Sequence, residues 1–352
     1  MNSIMNSIMN NTIIKEFEKL IFTTNEKYKD SKNNNVKFKI MSYRKIIAII
    51  KNLEFEIKDT ESIKKIKGVG KSTIEKIDLI LKNGYLNFDS TIQEKSDSIN
   101  ENINKLKNLQ KITGIGPKKA QNLIDTNITL DILLDAYTTN NKKILENLTH
   151  HQLCGVKYYH HLENRIPYDE ITEIETYLKS ILNKIDNELN LIICGSYRRK
   201  CKDSGDIDIL LYHNLIQNKK KFNKYTFLFD FLSLLKKNKF IVDDLTTIES
   251  PTKYMGFCKL NKYVRRIDIR MVATESLASA MLYFTGSGDF NKKMRTYALK
   301  KNYTINEYGI YSIDKDKNKI ESLKIINEKD IFDILELDFV YPEDRIPNYN
   351  FV

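Results

Sequence analysis

From Ile13 onward apolar residues recur every three to four positions, first in I-I-K-E-F-E-K-L-I-F and again over Tyr43 to Leu53. That spacing predicts amphipathic helices and, up to about Leu86, a small helical domain. Helical text resumes after a second glycine turn and runs to Arg165-Ile166-Pro167, where the proline marks a boundary. A helix is expected from Tyr168 to Leu189. The period then changes. Leu191 to Cys194 is a short apolar strand, and S-G-D-I-D-I-L-L and V-R-R-I-D-I-R-M-V alternate polar and apolar positions, as half-buried strands do. K-K-N-K-F-I-V-D-D-L reads as a helix end followed by a strand. The opening repeat M-N-S-I-M-N-S-I-M-N-N is expected to be a disordered tail.

The two alternating runs carry the chemistry. Asp206 and Asp208 project to one side, with Ile207, Ile209 and Leu210 as the apolar counterpart. In the second run Arg266, Asp268 and Arg270 oppose Ile267, Ile269 and Met271. If these strands are neighbours, three carboxylates converge, a costly arrangement unless cations neutralise it. Hard carboxylate oxygens suit two Mg²⁺ ions, with Mn²⁺ able to substitute. Ions roughly 3.5–4 Å apart can hold both the attacking and the leaving oxygen of a displacement at phosphorus.

What precedes the first pair strengthens this reading. L-I-I-C-G-S-Y-R-R-K-C-K-D-S-G-D-I-D is a strand, then a Gly195-Ser196 turn that lets backbone approach a ligand, then Arg198 and Arg199 with forked donors suited to phosphate. No G-x-x-x-x-G-K-[ST] occurs, so the P-loop solution is excluded. Two further glycine turns, G-V-G at Gly68 to Gly70 and T-G-I-G-P from Thr113 with Gly114 and Gly116, each open a helix followed by lysines (Lys71 and Lys76; Lys118 and Lys119). Helix, glycine hairpin, helix is a device for gripping a nucleic-acid backbone without reading sequence.

Taken together, these motifs resemble the family X DNA polymerases, the group of DNA polymerase beta, from about Phe17 to Arg345. S-Y-R-K near Tyr43, G-V-G-K-S-T-I-E-K-I-D, T-G-I-G-P-K-K-A, G-S-Y-R-R, G-D-I-D-I-L-L, R-R-I-D-I-R, L-Y-F-T-G-S, F-N-K-K-M-R, T-I-N-E-Y and K-D-I-F-D occur in that family's order. The resemblance implies an α+β multidomain chain. After a disordered tail (1–12) it would have a helical 5′-deoxyribose-phosphate lyase-like domain with the first hairpin (13–90) and a DNA-binding subdomain with the second (91–167). A catalytic nucleotidyltransferase palm of mixed sheet and helices (168–273) and a small α/β nucleotide-selection subdomain (274–352) would follow.

By the same resemblance Asp206 and Asp208 bridge both metals, and Asp268 completes the catalytic one and takes the proton of the primer 3′-hydroxyl. Arg165, Ser196, Arg199 and Gly205 serve the triphosphate, and Tyr283, Phe284 and Gly286 the sugar. Asn291 meets the incoming base, while Lys292, Arg295 and Arg266 lie along the template and primer. Arg270, Arg266, Arg165 and Glu307 are implied to exchange partners when the nucleotide arrives. A family position that often stacks on the base is Gly288 here, with Asp289 beside it. In the hairpins, backbone carbonyls of Lys64, Ile66 and Val69, and of Gln110, Ile112 and Ile115, are implied ligands for Na⁺ or K⁺. Lys76 corresponds to the Schiff-base lysine of the lyase, with Lys39, Tyr43, Glu75 and Lys71 around it. Phe38, Ser72 and Phe88 stand where relatives are usually basic.

Composition agrees: 57 Lys and Arg against 46 Asp and Glu give a formal charge of +11, as suits a protein that tracks phosphates. Cys154, Cys194, Cys201 and Cys258 show no C-x-x-C spacing, and with no signal peptide a reducing intracellular compartment is expected, either a nucleus or a cytoplasmic viral replication site. No apolar run approaches a membrane span. The pairs His150-His151 and His160-His161 are not expected to bind metal, since no cysteine or carboxylate pattern accompanies them in sequence. Expected partners are gapped or nicked duplex DNA, dNTPs and a DNA ligase acting afterwards, with the chain a monomer. No exonuclease segment is recognised and no room is left for a phosphopeptide-binding module before Lys15, so distributive synthesis without proofreading is expected. Against this stand a template-independent terminal transferase, for which Lys259 to Tyr263 leaves little room for the longer loop, and a non-catalytic hairpin protein. An RNA- or antibiotic-directed nucleotidyltransferase would not need two DNA-binding hairpins.

Overall fold

Side chains at i and i+4 share a helix face, and the N-terminal core is assembled from such pairs: Ile13 with Phe17, and Ile46 with Ile50. A computed structural model describes residues 10–27, 34–53, 55–86, 96–347 and 349–351. The chain forms two compact units, the first ending at Asn147 and the second beginning at Leu148.

The first unit contains α1 (Asn11–Lys27), α2 (Asn34–Lys51) and α3 (Lys71–Asn83), whose inward faces bury Ile13, Phe17, Ile46, Ile50, Ile77 and Ile80 together with Ile63. It continues through α4 (Ser96–Leu109), α5 (Pro117–Asp125), α6 (Leu130–Thr138) and α7 (Lys142–Leu145). Residues 1–9 of the expected tail, like Phe88, lie outside the described residues. Residues 10–12, expected to belong to that tail, are ordered, with Asn10 buried and clamped. Its Nδ2 donates to the Phe55 carbonyl at 3.1 Å and its Oδ1 accepts from the Ile57 amide at 2.7 Å, which anchors the start of α1.

The second unit opens with α8 (His150–Lys157), α9 (Tyr159–Leu162) and β1 (Ile166–Pro167), followed by α10 (Tyr168–Leu182), β2 (Asn190–Ile193), α11 (Gly195–Arg198) and β3 (Asp203–Ser204). Next come β4 (Ile207–Tyr212), α12 (Phe227–Lys237), β5 (Ile241–Asp244), β6 (Lys253–Cys258) and β7 (Arg265–Val272). The expected helix to Leu189 stops at Leu182, and Asp186 accepts from the Glu188 amide at 2.8 Å in a side-chain turn that competes with helix.

A five-stranded sheet has the order β2-β4-β7-β6-β5, and within it only β4 and β7 run parallel. Its odd-numbered positions on β4 and β7, Ile207, Ile209, Leu211, Ile267, Ile269 and Met271, pack in one core with Ile171, Ile174 and Leu178 of α10 and Leu228, Phe231 and Leu232 of α12. Leu210, expected to side with Ile207 and Ile209, does not. It lies on the even-numbered face with Cys194, Val272 and Ala280, as strict alternation along the strand requires.

The chain ends in α13 (Leu277–Thr285), α14 (Gly288–Lys300), the sheet β8 (Tyr303–Asn306), β9 (Gly309–Ile313) and β10 (Lys319–Ser322), and α15 (Glu328–Ile334). Phe290, Met294, Ile310, Ile331 and Phe332 form its separate core. Ile267 is fully buried on the central strand. Truncating Ile267 to Ala leaves a void between sheet and helices and is expected to lower stability by about 2–5 kcal/mol, measured as a shift in the urea midpoint at unchanged slope.

Candidate active site

The parallel register of β4 and β7 sets Asp208 opposite Asp268, and Asp206 stands one residue before β4 begins. Both strands present their even-numbered side chains to the face away from α10 and α12, so the three carboxylates meet there. One oxygen from each lies within 4.8 Å of the others. Burial, then the charges of Asp206 and Asp268, push the Asp208 carboxyl up to about 7. Burial and the charge of Asp268 raise Asp206 as well. Arg266 offsets part of this, donating from Nη2 to Asp268 Oδ2 at 3.1 Å and from Nε to Oδ1 at 3.4 Å. An all-oxygen donor set whose members resist ionising side by side fits hard divalent ions such as Mg²⁺.

The expected glycine turn is a helical turn, α11, that follows β2 and packs directly onto the carboxylates. Gly195 has φ +56°, and a Cβ there would stand 2.6 Å from Asp208 Oδ2. Glycine is thus required on both conformational and steric grounds. Ser196 lies within this turn and Arg199 caps its end. Arg199 Nη1 donates to the Thr285 carbonyl at the end of α13. Arg165, near Gly205, is paired with Asp203 on β3 through Nε and reaches the Asp203 carbonyl from Nη2 at 3.2 Å. Sequence reasoning missed Asp203, which lies in the K-D-S-G text but carries no motif position.

Arg198 departs from expectation. Its guanidinium does not face a phosphate site but is drawn into a partly buried ion pair with Glu328 (Nη2 to Oε2 2.5 Å, Nη1 to Oε1 3.0 Å) and reaches Thr285 Oγ1 at 2.6 Å. Arg345, fully buried, binds the same carboxylate at 2.7 Å. Burial alone would raise the Glu328 carboxyl, but hydrogen bonds from Arg198 and the charge of Arg345 hold it below the usual range.

Tyr283 and Phe284 lie in the last turn of α13 with their rings edge to face at 5.1 Å, and Thr285 separates them from Gly286 at φ +71°. Asn291, expected to face a base, donates from Nδ2 to the Tyr283 carbonyl at 2.7 Å. Arg295 donates to the Asn291 carbonyl and lies 5.9 Å from the Tyr283 ring, so these three side chains form one group. Lys292 pairs with Asp289 at 2.9 Å, and open space surrounds the position of a Gly288 Cβ. Arg270 and Glu307 line one cavity of about 330 Å³ with Phe284, Tyr308, Lys219 and Phe222. The Arg270 Nε is buried without a partner.

In the first unit the two hairpins are congruent. Val69 N donates to Ile66 O, and Ile115 N to Ile112 O, each at 3.0 Å, with Gly68 at φ +98° and Gly114 at φ +90°. Two of the six carbonyls expected to ligate a monovalent ion thus already accept one bond; Lys64, Val69, Gln110 and Ile115 supply the others. Gly70 and Gly116 are extended N-caps without side-chain caps, leaving first-turn amides of α3 and α5 to an outside acceptor. Lys119 is engaged with the Asn147 carbonyl at 2.6 Å.

Lys76 Nζ donates to Ser72 Oγ at 2.7 Å and to the Ser72 carbonyl at 3.2 Å. Burial, then the charge of Lys39, lower its pKa, while Glu75 opposes the change. Ser72, read as a missing charge, is therefore the hydrogen-bond partner of the lysine. Tyr43, expected among the DNA-facing residues, is a core residue stacked edge-on to Phe17. Phe38 is 69% exposed.

Comparison with known proteins agrees with this geometry. Residues 165–274 match the DNA polymerase beta palm, 280–346 the DNA polymerase beta thumb and 9–86 a helix-hairpin-helix domain. DNA polymerase lambda of Rattus norvegicus is 28% identical over 321 residues, covering 88% of this chain and 52% of that protein. DNA polymerase lambda of Arabidopsis thaliana is 27% identical over 320 residues (86% and 57%). DNA nucleotidylexotransferase of Xenopus laevis is 25% identical over 343 residues (88% and 64%). The chain spans between about half and two thirds of the length of these relatives. The fold and site are those of a polymerase palm with its thumb and hairpin domain. The chain belongs to the family X DNA polymerases and resembles DNA polymerase beta.

Removing Glu328 leaves the buried guanidinium of Arg345 and the partly buried one of Arg198 uncompensated. Glu328→Ala is expected to cost about 3–5 kcal/mol by urea denaturation, whereas Glu343→Ala, which breaks only the exposed bridge to Lys200, leaves the midpoint unchanged.

Because the Asp208 pKa in the folded protein (about 7) exceeds the ordinary aspartate value of 3.8, the folded state binds the extra proton between those values. Stability of the metal-free protein therefore falls as pH rises through that window. Asp208→Asn flattens most of the fall, leaving the smaller part that belongs to Asp206, and raises stability near pH 8 by on the order of 2 kcal/mol, read from urea midpoints with a chelator present.

Proposed function

We propose that this protein is a DNA-directed DNA polymerase of the repair type that fills short gaps in duplex DNA from dNTPs. The observation carrying this reading is the convergence of Asp206, Asp208 and Asp268 beside the Gly195 turn. The hairpins of the first unit support DNA rather than a small molecule as the other substrate.

Asp206 and Asp208 would hold two Mg²⁺ ions, with Asp268 completing the set at one of them. When bound, such ions polarise phosphoryl oxygens, lower the pKa of a coordinated hydroxyl and stabilise a leaving pyrophosphate. Asp268 accepts the proton of the primer 3′-hydroxyl. Ser196, Arg199 and the Gly205 amide bind the β- and γ-phosphates, where donors already in place are worth most. Tyr283 and Phe284 pack against the sugar, and Asn291 with Arg295 lines the base and template side. For Arg199, nucleotide binding means exchanging the Thr285 carbonyl for phosphate oxygens. For Arg165 it means leaving Asp203.

In the first unit, Lys76 condenses with the aldehyde of a 5′-deoxyribose phosphate with loss of water to a Schiff base, β-elimination breaks the C3′–O bond and frees the DNA 5′-phosphate, and water hydrolyses the imine to release the unsaturated sugar and the lysine. Its lowered pKa and its bond to Ser72 support a nucleophilic role. Together the two activities place the enzyme in base-excision repair, upstream of a ligase.

Template-independent transfer is the alternative raised by the Xenopus relative. The connection from β6 to β7 spans only residues 259–264, which favours templated synthesis.

The test is a one-nucleotide-gapped duplex bearing a 5′-deoxyribose phosphate, incubated with Mg²⁺ and four dNTPs, beside a single-stranded primer alone. Templated filling is expected, with loss of at least about 10³-fold in Asp268→Ala. Sugar release is expected in wild type and Asp268→Ala but not in Lys76→Ala. Extension of the lone primer without regard to template would replace the reading with terminal transfer, and no extension with either Mg²⁺ or Mn²⁺ would sink it.

A further inference from the structure

His150 and Cys154 stand four residues apart on α8, so they share one face, and Asp243 of the edge strand β5 comes up beside them. One donor atom from each, a ring nitrogen, a thiol sulfur and a carboxylate oxygen, lies within 4.8 Å of the other two. His150 Nε2 is 3.6 Å from Cys154 Sγ. An ion bonded to sulfur at about 2.3 Å and to nitrogen at about 2.0–2.1 Å with tetrahedral angles holds those atoms about 3.6 Å apart. The geometry points to a second metal site in this protein, separate from the three aspartates, that takes Zn²⁺ between α8 and β5.

The donor set selects the ion. Thiolate and imidazole are softer ligands than the carboxylates of the polymerase centre, and they favour Zn²⁺ over Mg²⁺. The path inward is from the His150 side, since that ring is exposed and the sulfur is buried. Asp243 Oδ2 is engaged by Lys157 at 2.6 Å and Tyr158 at 2.5 Å, but Oδ1 takes part in neither bond. Those two bonds orient the carboxylate as supporting hydrogen bonds do around metal ligands. His150 Nε2 lies 2.7 Å from the Asp244 carbonyl and donates its proton to it, so ion binding exchanges that hydrogen bond for a coordinate bond and the ring proton moves to Nδ1. Cys154 gives its proton to solvent, so one proton leaves per ion bound and the charges of Zn²⁺, thiolate and carboxylate sum to zero. The fourth position falls to the Asp244 carbonyl or to water. The consequence is a cross-link between a helix and a sheet edge that otherwise rest on hydrogen bonds and the apolar contacts of Cys154, Tyr158 and Phe257.

Co²⁺ titration of the full chain with Mg²⁺ in excess tests this, because only a thiolate ligand gives sulfur-to-cobalt charge transfer. One equivalent of Co²⁺ should develop that band, and Zn²⁺ should displace it with at least about tenfold higher affinity. Cys154→Ser should abolish the band, His150→Ala and Asp243→Asn should weaken Co²⁺ binding tenfold or more, and Cys201→Ser should leave it unchanged. Zn²⁺ should raise the melting temperature of wild type but not of His150→Ala. His150 is exposed, so its truncation leaves the core intact and keeps the test decisive even if Cys154→Ser unfolds. No band in wild type, a band surviving Cys154→Ser, or full affinity in His150→Ala would each overturn the site.

Discussion

Everything at the centre of the second unit follows from forcing negative charges together. Two parallel strands in fixed register leave Asp208 and Asp268 facing the same side, and Asp206 joins them from the preceding turn. Folding alone does not relieve the repulsion. Arg266 pairs with Asp268, and its charge with those of Arg165 and Arg199 offsets only part of the rise at Asp206 and Asp208, so part of the cost persists as a raised affinity of Asp208 for a proton. A protein that keeps such an arrangement on its central strands has traded stability for the capacity to bind cations. The hydrophobic support is correspondingly heavy: the opposite face of the same strands is closed by α10 and α12 through aliphatic and aromatic side chains.

Around that centre the structure divides the arginines by task. Arg265 and Arg345 are interior ion-pair partners of Glu170 and Glu328, and Arg198 joins the second of these pairs. Arg165, Arg199 and Arg266 make lighter contacts, with Asp203, with a carbonyl and with Asp268, that incoming phosphates or DNA can outcompete. A planar guanidinium serves both purposes because it stays charged even when buried. What distinguishes the groups is exposure and the number of bonds each already makes.

Much of this was legible in the text of the chain. Alternation placed Asp208 and Asp268 on strands, with Asp206 one residue ahead of its strand, and G-S with R-R placed the turn beside them, because period and glycine are local properties. Helix ends were less legible: α10 stops at Leu182, and the side-chain turn at Asp186 that follows carries only a weak signal in sequence. Roles set by distant partners were not legible at all. Nothing near Arg198 announces Glu328, some 130 residues away, and nothing near Ser72 separates an absent charge from a lysine's hydrogen-bond acceptor. His150 was read beside His151, its neighbour in sequence, whereas its neighbours in space are Cys154 and Asp243.

The bond from Arg198 through Glu328 to Arg345 also bears on how this architecture can be cut and recombined. By sequence, the natural seam between palm and nucleotide-selecting part lies near Thr274, yet α11 on one side of it is riveted to α15 and the C-terminal segment on the other. A chimaera that imports residues 277–352 from a relative must carry a matching carboxylate at position 328 or replace Arg198 as well. The unit that can be exchanged is therefore defined by charge pairing rather than by where the helices and strands change hands.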